Sequence, residues 1–211
     1  MSKRPDWRAF TQDGQEKSRQ NRRAGGWKAK KAGESAEELF LLVGQQYLLE
    51  EKAEVRKRPE PYRRIGAAQR NGQFTAAPLS KSGPDFDLAL PDGRSGLIEI
   101  KSRRGHRIPI HAVGDVQGVA LERRIAWKGF GAVVVMLWDE GKEARWWVID
   151  WRRWAEAKKK GYKSFSDQDL DQLATQCTML IGARPHWLPA LLQSHREAEA
   201  VLWPLAPKEA E

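Results

Sequence analysis

Three carboxylates and a lysine alternate with apolar residues in two short segments of this chain: Asp85, Asp87, Glu99 and Lys101. A Pro-Asp-Gly sequence between the segments predicts a tight turn, so the two segments are expected to form a β-hairpin. Side chains along a strand alternate between its two faces. The apolar residues therefore share one face of the hairpin, and the three carboxylates and the lysine share the other.

Carboxylates that converge on a partly buried surface repel one another unless a cation lies among them. Mg²⁺ fits this donor set, because it binds through one or two carboxylates, waters and a phosphate oxygen. A neighbouring lysine can hold a water molecule or stabilise developing negative charge. The pattern indicates metal-dependent hydrolysis of a phosphodiester, although a half-exposed hairpin with an ordinary polar face has the same alternation. Asp85 and Asp87 are two residues apart and share one face of the strand, so the alternation alone does not decide which of them is the metal ligand.

The remaining sequence predicts the elements that must position this hairpin. A helix is expected from Ser35 to about residue 50, because apolar residues recur there at helical spacing. The segment 58–82 is basic and rich in proline and glycine, which predicts an exposed excursion. Further expected elements are strands at 53–57, 131–138 and 144–150, helices at 115–127, 151–160 and 167–178, and a positively charged loop at 102–107. This order predicts an α/β fold with a mixed central β-sheet flanked by helices.

Charge and composition divide the chain into three parts. The chain has a net charge of +9, and residues 1–31 hold ten Lys/Arg against three Asp/Glu. We expect residues 1–32 to form a basic disordered arm that contacts phosphates, or else a solvated tail without a partner. Residues 33–180 are expected to form the folded domain, and 181–211 a C-terminal extension with four prolines.

Composition also excludes several classes of protein. One cysteine, Cys177, excludes an intrachain disulfide framework and a thiolate metal site. No apolar stretch is as long as a membrane span, and the first residues are too polar for a secretory signal. We therefore expect a cytoplasmic protein without a membrane partner.

The acidic hairpin also carries a family resemblance. Pro84-Asp85 followed by Glu99-Ile100-Lys101 resembles the motif of the PD-(D/E)XK nuclease superfamily, and within it the chain most resembles RecU-type Holliday junction resolvases. The helix at 34–50 with its Glu38, the segment Val55-Arg-Lys-Arg-Pro-Glu-Pro61, and Ile108-Pro-Ile-His-Ala-Val-Gly-Asp115-Val-Gln117 resemble further blocks of that family in the same order. The match covers roughly residues 33–175.

The resemblance implies a restriction-endonuclease-like core with a projecting basic stalk at about 58–82. It also implies a homodimer that binds four-way DNA junctions and cleaves two strands symmetrically. By position, Asp85 matches the aspartate of the motif, and Asp87 is the alternative. The implied metal ligands for Mg²⁺, with Mn²⁺ as a substitute, are Asp85, Glu99 and Glu38, and Lys101 completes the catalytic set. Glu38 has a competing role, because its spacing from Ser35 forms a capping box.

Basic residues near these blocks are the expected DNA contacts. The expected DNA-binding residues are Arg56, Lys57, Arg58, Arg63, Arg64, Arg70, Arg103, Arg104, Arg107 and Gln117. Two other functions remain open: a superfamily nuclease that acts on duplex DNA, and a catalytically inactive DNA-binding recombination accessory protein.

Overall fold

The structure, a computed structural model, describes residues 35–59, 62–67, 72–78 and 83–202. The strands are β1 (Glu54–Lys57), β2 (Tyr62–Ile65), β3 (Thr75–Pro78), β4 (Phe86–Ala89), β5 (Ser95–Arg104), β6 (Arg107–Pro109), β7 (Phe130–Trp138), β8 (Arg145–Asp150), β9 (Ser164–Ser166), β10 (Thr175–Gln176), β11 (Thr178–Leu180) and β12 (Arg184–His186). The helices are α1 (35–49), α2 (Asp115–Ala126), α3 (Trp151–Lys159), α4 (Asp167–Leu173) and α5 (Trp187–Leu202).

Six strands form the central sheet in the order β1, β4, β5, β7, β8, β10. The β5–β7 pair is parallel and the other neighbouring pairs are antiparallel. Helix α2 supplies the crossover that a parallel pair requires. The α/β class with a mixed central sheet flanked by helices is thus confirmed.

The acidic hairpin forms as predicted. β4 and β5 pair antiparallel, with Phe86 opposite Ile98. The turn is closed by Leu90, whose N–H donates to the Arg94 carbonyl at 2.9 Å, and Gly93 has a φ of 85°. Glycine tolerates this left-handed conformation without a steric penalty, which explains its place in the turn.

Each face of the central sheet is covered by its own hydrophobic core. On one face, α1 and α5 pack on the apolar side of the hairpin, and Phe40 stacks on Trp187 with ring centroids 4.4 Å apart. On the other face, α2, α3 and α4 cover mainly β7 and β8, around Leu121, Trp147 and Trp154. The continuous apolar sequence of β7 follows from burial on both of its faces.

Two segments differ from the sequence prediction. The helix expected at 167–178 ends at Leu173, because the next residues leave the helical conformation and Thr175–Gln176 pair with β8. The segment expected as an extension beyond residue 180 contains α5, whose Trp187 and Leu191 are buried in the core. The packed body therefore continues to α5. Pro189 lies in the first turn of this helix, where proline is tolerated.

A buried charge cluster fixes α5 against the end of β8. Asp150 is 2% exposed and caps α3 by accepting from the Arg152 N–H at 2.9 Å. The Arg152 guanidinium also binds the Asp150 carboxylate at 2.8 and 2.9 Å, and His195 of α5 lies 3.1 Å from the same carboxylate. Because these groups satisfy one another, the C-terminal helix is attached by polar contacts as well as by its apolar face.

The basic excursion contains a separate two-stranded sheet formed by β2 and β3. All four residues of β2 are exposed, and Arg64 lies over the Phe74 ring at 5.7 Å. Residues 60, 61, 68–71 and 79–82 of the excursion, which include Arg70, and the arm at 1–32 lie outside the described residues.

Among the helices in the described ranges, none has both the length and the apolar content needed to cross a bilayer.

Close packing of α2 on α3 gives a first prediction. A Cβ atom at Gly118 would lie 2.8 Å from Cζ2 of Trp151 and 2.9 Å from its Cη2. Gly118→Ala should therefore lower the free energy of unfolding by about 1–3 kcal/mol, measured by urea denaturation. Phenylalanine lacks those two ring atoms, so the cost should fall by about 1 kcal/mol in a Trp151→Phe background. Equal costs in both backgrounds would contradict this packing.

Candidate metal centre

The candidate site lies where the helical cover of the sheet ends. The pairing of β1 with β4 and of β4 with β5 aligns Arg58, Asp85 and Glu99 in one row across the sheet, and Val133 of β7 continues the row. Val133 is buried in the core beneath α2, whereas Asp85 is only partly buried. The carboxylates thus occupy the border between a covered and an open part of the same face.

Glu99 is fully buried, with 0% of its surface exposed. Its Oε1 accepts hydrogen bonds from Lys101 Nζ and from Gln117 Nε2, the latter at 2.6 Å. Its Oε2 is buried and has no hydrogen-bond partner among the described residues. A buried carboxylate oxygen without a donor is unfavourable, and it marks a position where a cation or an ordered water would compensate.

Gln117 is placed by the N-terminus of α2. Its Oε1 accepts from the Gly114 N–H at 2.9 Å, which orients the amide so that its Nε2 points to Glu99. Gln117 was expected to contact DNA, but its side chain supports the carboxylate. On residue type alone, a glutamine in the first turn of a helix is typical of a surface position, so local sequence does not reveal this contact.

Burial perturbs both carboxylates, and the charge of Asp85 adds to its effect on Glu99. Burial, followed by the charge of Asp85, raises the pKa of Glu99 to about 7 despite the opposing effect of Lys101. Burial also raises the pKa of Asp85, although the hydrogen bond from the Ile100 N–H at 2.8 Å and the charge of Lys101 oppose it. Two neighbouring acids with raised pKa values are typical of functional sites.

These residues fit a divalent cation. The carboxylates of Asp85 and Glu99 interact electrostatically, and Oε2 of Glu99 has no partner among the described residues. Mg²⁺ commonly takes one or two carboxylates, with water and phosphate as its other ligands. Within the described ranges, no three His, Cys, Asp or Glu side chains form a complete metal cage. The protein's contribution would therefore be the pair Asp85 and Glu99.

The structure distinguishes Asp85, which directly precedes β4, from Asp87 within it. Asp85 faces Glu99 and is held by the backbone of β5, as its hydrogen bond to Ile100 shows. Asp87 has a side chain that is 50% exposed and lies 3.5 Å from the Arg58 guanidinium. Of these two aspartates, only Asp85 is among the causes of the raised pKa of Glu99, where it adds to the effect of burial.

The structure places Glu37, rather than Glu38, near the site. Glu38 is exposed, whereas Glu37 is partly buried, forms a 2.7 Å ion pair with Lys57 and acts electrostatically on Asp85. Successive helical residues are rotated by about 100°. Relative to the buried stripe of α1, Glu37 therefore lies at the flank and Glu38 on the opposite side. Helical periodicity contained this signal, which the sequence interpretation missed.

Of the basic residues expected to contact DNA, those that the structure describes lie on β1, β2, β5 and β6 or directly after β1. Arg103 occupies the next position beyond Lys101 on the same face of β5 and is exposed. Several others are held by carboxylates or hydroxyls: Arg56 by Glu54, Lys57 by Glu37, Arg58 by Asp87, Arg104 by Asp139 and Glu140, and Arg107 by Ser164. Arg63 and Arg64 lie on the exposed strand β2.

Comparison of the chain with protein-family models and with curated protein sequences finds no match.

The raised pKa of Glu99 predicts how stability changes with pH. In metal-free protein, Glu99 ionises near pH 4.5 when unfolded and near pH 7 when folded. Its ionisation therefore lowers the free energy of unfolding as pH rises between these values, by up to about 3 kcal/mol.

Glu99→Gln should remove this loss, so the variant should be more stable than the wild type at pH 8 and similar to it near pH 4. Urea denaturation in EDTA across this pH range measures the difference. A constant difference between the two proteins at every pH would contradict the assignment.

Proposed function

We propose that this protein is a Mg²⁺-dependent endodeoxyribonuclease that acts on four-way DNA junctions. The observation that supports it most is the fully buried Glu99, which has one unpartnered oxygen and lies beside Asp85 and Lys101 on a single hairpin. The spacing of these residues resembles the PD-(D/E)XK motif, and the mixed sheet flanked by helices suits a restriction-endonuclease-like core.

Asp85 and Glu99 would hold the Mg²⁺. The ion supplies Lewis-acid activation of a water and compensates charge on the phosphate and leaving oxygen. Gln117 and Lys101 hold Glu99 in place through its Oε1, so its Oε2 stays directed away from these donors. Lys101 is 23% exposed, so its ammonium group is accessible to a scissile phosphate or a water beside Glu99.

Exposed cations beyond the site would supply affinity that does not depend on DNA sequence. Arg103 continues the line of Glu99 and Lys101 along β5. The β2–β3 hairpin adds Arg63 and Arg64, with Tyr62 and Phe74 each 55% exposed. Exposed aromatic rings beside arginines can stack on unpaired bases, such as those at a branch point. Selection of junctions over duplex would then depend on the shape of the branched DNA.

The substrate class is tested with a labelled synthetic four-way junction beside its component duplexes. We expect paired nicks confined to the junction in Mg²⁺, cleavage at least about tenfold faster than that of duplex, and none with a chelator. Equal cleavage of both substrates would assign the protein to nucleases of duplex DNA. Binding without cleavage in Mg²⁺ and Mn²⁺ would support an inactive DNA-binding accessory protein.

The role of Glu99 is tested by separating binding from cleavage. Glu99→Gln should reduce the rate of junction cleavage by at least about a thousandfold, because it removes a metal ligand while it preserves side-chain volume. Junction affinity in gel shifts should remain unchanged or rise, since a negative charge is lost. Loss of binding together with cleavage would show that Glu99 is structural.

Two adjacent residues of α1 provide a matched pair of variants. Glu37→Gln should raise the half-saturating Mg²⁺ concentration by about three- to tenfold, because a negative charge that acts on Asp85 is lost. Glu38→Gln changes a neighbouring exposed side chain and should leave that concentration unchanged. If Glu38→Gln raised that concentration and Glu37→Gln did not, Glu38 would be the acidic residue of α1 that supports metal binding.

A further inference from the structure

Two arginines and an aspartate continue the face of the metal centre onto β1 and β4. In the register of these strands, Arg56 lies opposite Asp87. Arg58 lies opposite Asp85, and its N–H donates to the Asp85 carbonyl at 2.8 Å. Strand alternation places Arg56, Arg58 and Asp87 on the same face as Asp85. Their side chains are 75%, 40% and 50% exposed, so cationic groups are accessible to solvent directly beside the proposed metal ligands.

The guanidinium of Arg58 is held in place by Asp87 and by the chain at Gly83. Its Nε lies 3.5 Å from Oδ2 of Asp87, which is the only carboxylate that pairs with Arg58 among the described residues. A Cβ atom at Gly83 would lie 3.0 Å from Nη1 of Arg58, so the guanidinium packs closely against the backbone there. Asp87 therefore occupies the Nε edge of an arginine whose position is already fixed.

The ion pair of Arg58 with Asp87 is one that a phosphate can replace. Exposed pairs contribute little to stability, because water screens them. A guanidinium instead binds a phosphate through two parallel N–H donors, which is a stronger contact. A depression of about 320 Å³, whose lining includes Arg56 and Asp87, leaves room for a phosphate group beside the pair. A phosphate that binds the Nε edge of Arg58 takes the position of the Asp87 carboxylate.

We propose that Asp87 competes with DNA for Arg58: the carboxylate holds the guanidinium in the free protein, and a backbone phosphate replaces it in the complex. This role rests on the proposed function, because it requires DNA to lie across the metal centre. Neighbouring strands are about 4.8 Å apart, so the backbones of Arg58 and Glu99, two strands from each other, are about 10 Å apart. Arg58 therefore binds a phosphate beside the scissile one. Asp87 lowers the affinity for DNA, because its charge is left near that phosphate.

Binding of a fluorescently labelled four-way junction to the full chain in EDTA, which blocks metal-dependent cleavage, tests the competition. Asp87→Asn should lower the dissociation constant by about three- to tenfold, and Arg58→Gln should raise it by about tenfold. In an Arg58→Gln background, Asp87→Asn should change the constant by less than about twofold, because no arginine is left to release. Asp92→Asn is the matched control: it removes the same charge from the pair with Arg94 at the hairpin turn, and should also change the constant by less than about twofold.

The salt dependence of binding separates a phosphate contact from a structural effect. Arg58→Gln should reduce the slope of log K against log salt concentration by about 0.9, the value for one lost phosphate contact. Asp87→Asn should leave the slope unchanged, and circular dichroism verifies that each variant is folded. Unchanged affinity of Asp87→Asn, or an equal gain with and without Arg58, would overturn the competition. If the wild type still cleaves junctions, only this role of Asp87 fails; a wild type that binds no DNA would overturn the proposed function as well.

Discussion

Burial of the Glu99 carboxylate is the constraint on which the organisation of this protein depends. Burial without solvent contact, followed by the charge of Asp85, raises the pKa of Glu99, and burial of Asp85 raises the pKa of that group as well. Three contacts make it tolerable: Lys101 and Gln117 donate to Oε1 of Glu99, and the backbone of β5 donates to Asp85. The Oε2 of Glu99 has no partner among the described residues, so it is the oxygen that a cation or a water would contact.

The sheet and its two helical layers create this environment. α1 and α5 pack on the apolar face of the hairpin. On the opposite face, α2 crosses β5 and β7, and the core beneath it contains no residue of β1 or β4 among those that the structure describes. Glu99 lies on the last covered strand and Asp85 on the first open one. One carboxylate is therefore dehydrated and held rigidly while its neighbour remains accessible from solvent. A hydrated Mg²⁺, as proposed here, would suit this arrangement, because the ion keeps several of its waters and binds through one or two carboxylates.

The sequence predicted those parts of the fold that local patterns encode. Alternation with a Pro-Asp-Gly turn predicted the β4–β5 hairpin, and an unbroken apolar run predicted β7, because both patterns reflect burial along a single strand. The end of α4 was missed, since Thr175 and Gln176 are held by pairing with β8, a partner distant in sequence. Helix α5 was missed because proline in its first turn resembles a break in regular structure.

The candidate site likewise contains some residues that local patterns predict and others that only tertiary contacts reveal. Alternation along one hairpin placed Glu99 and Lys101 on the same face as Asp85 and Asp87, and the family resemblance favoured Asp85 over Asp87. Gln117 reaches Glu99 only through the crossover that places α2 against β5, which local spacing does not reveal. Glu37 was in principle accessible from helical periodicity, but the family resemblance favoured its neighbour Glu38, even though the spacing of Glu38 from Ser35 also fitted a capping box. The ion pair of Glu37 with Lys57 of β1 and the effect of its charge on Asp85 decide between the two residues.

The most direct test of this account is calorimetric titration of Mn²⁺ into the metal-free full chain at pH 8, above the pKa of Glu99. The account predicts one saturable site that is lost in both Asp85→Asn and Glu99→Gln. Asp87→Asn, which alters an exposed carboxylate on the same strand, should bind Mn²⁺ like the wild type. Absence of binding to the wild type, or equal binding by Glu99→Gln, would contradict a metal centre on this hairpin and the nuclease proposal that depends on it.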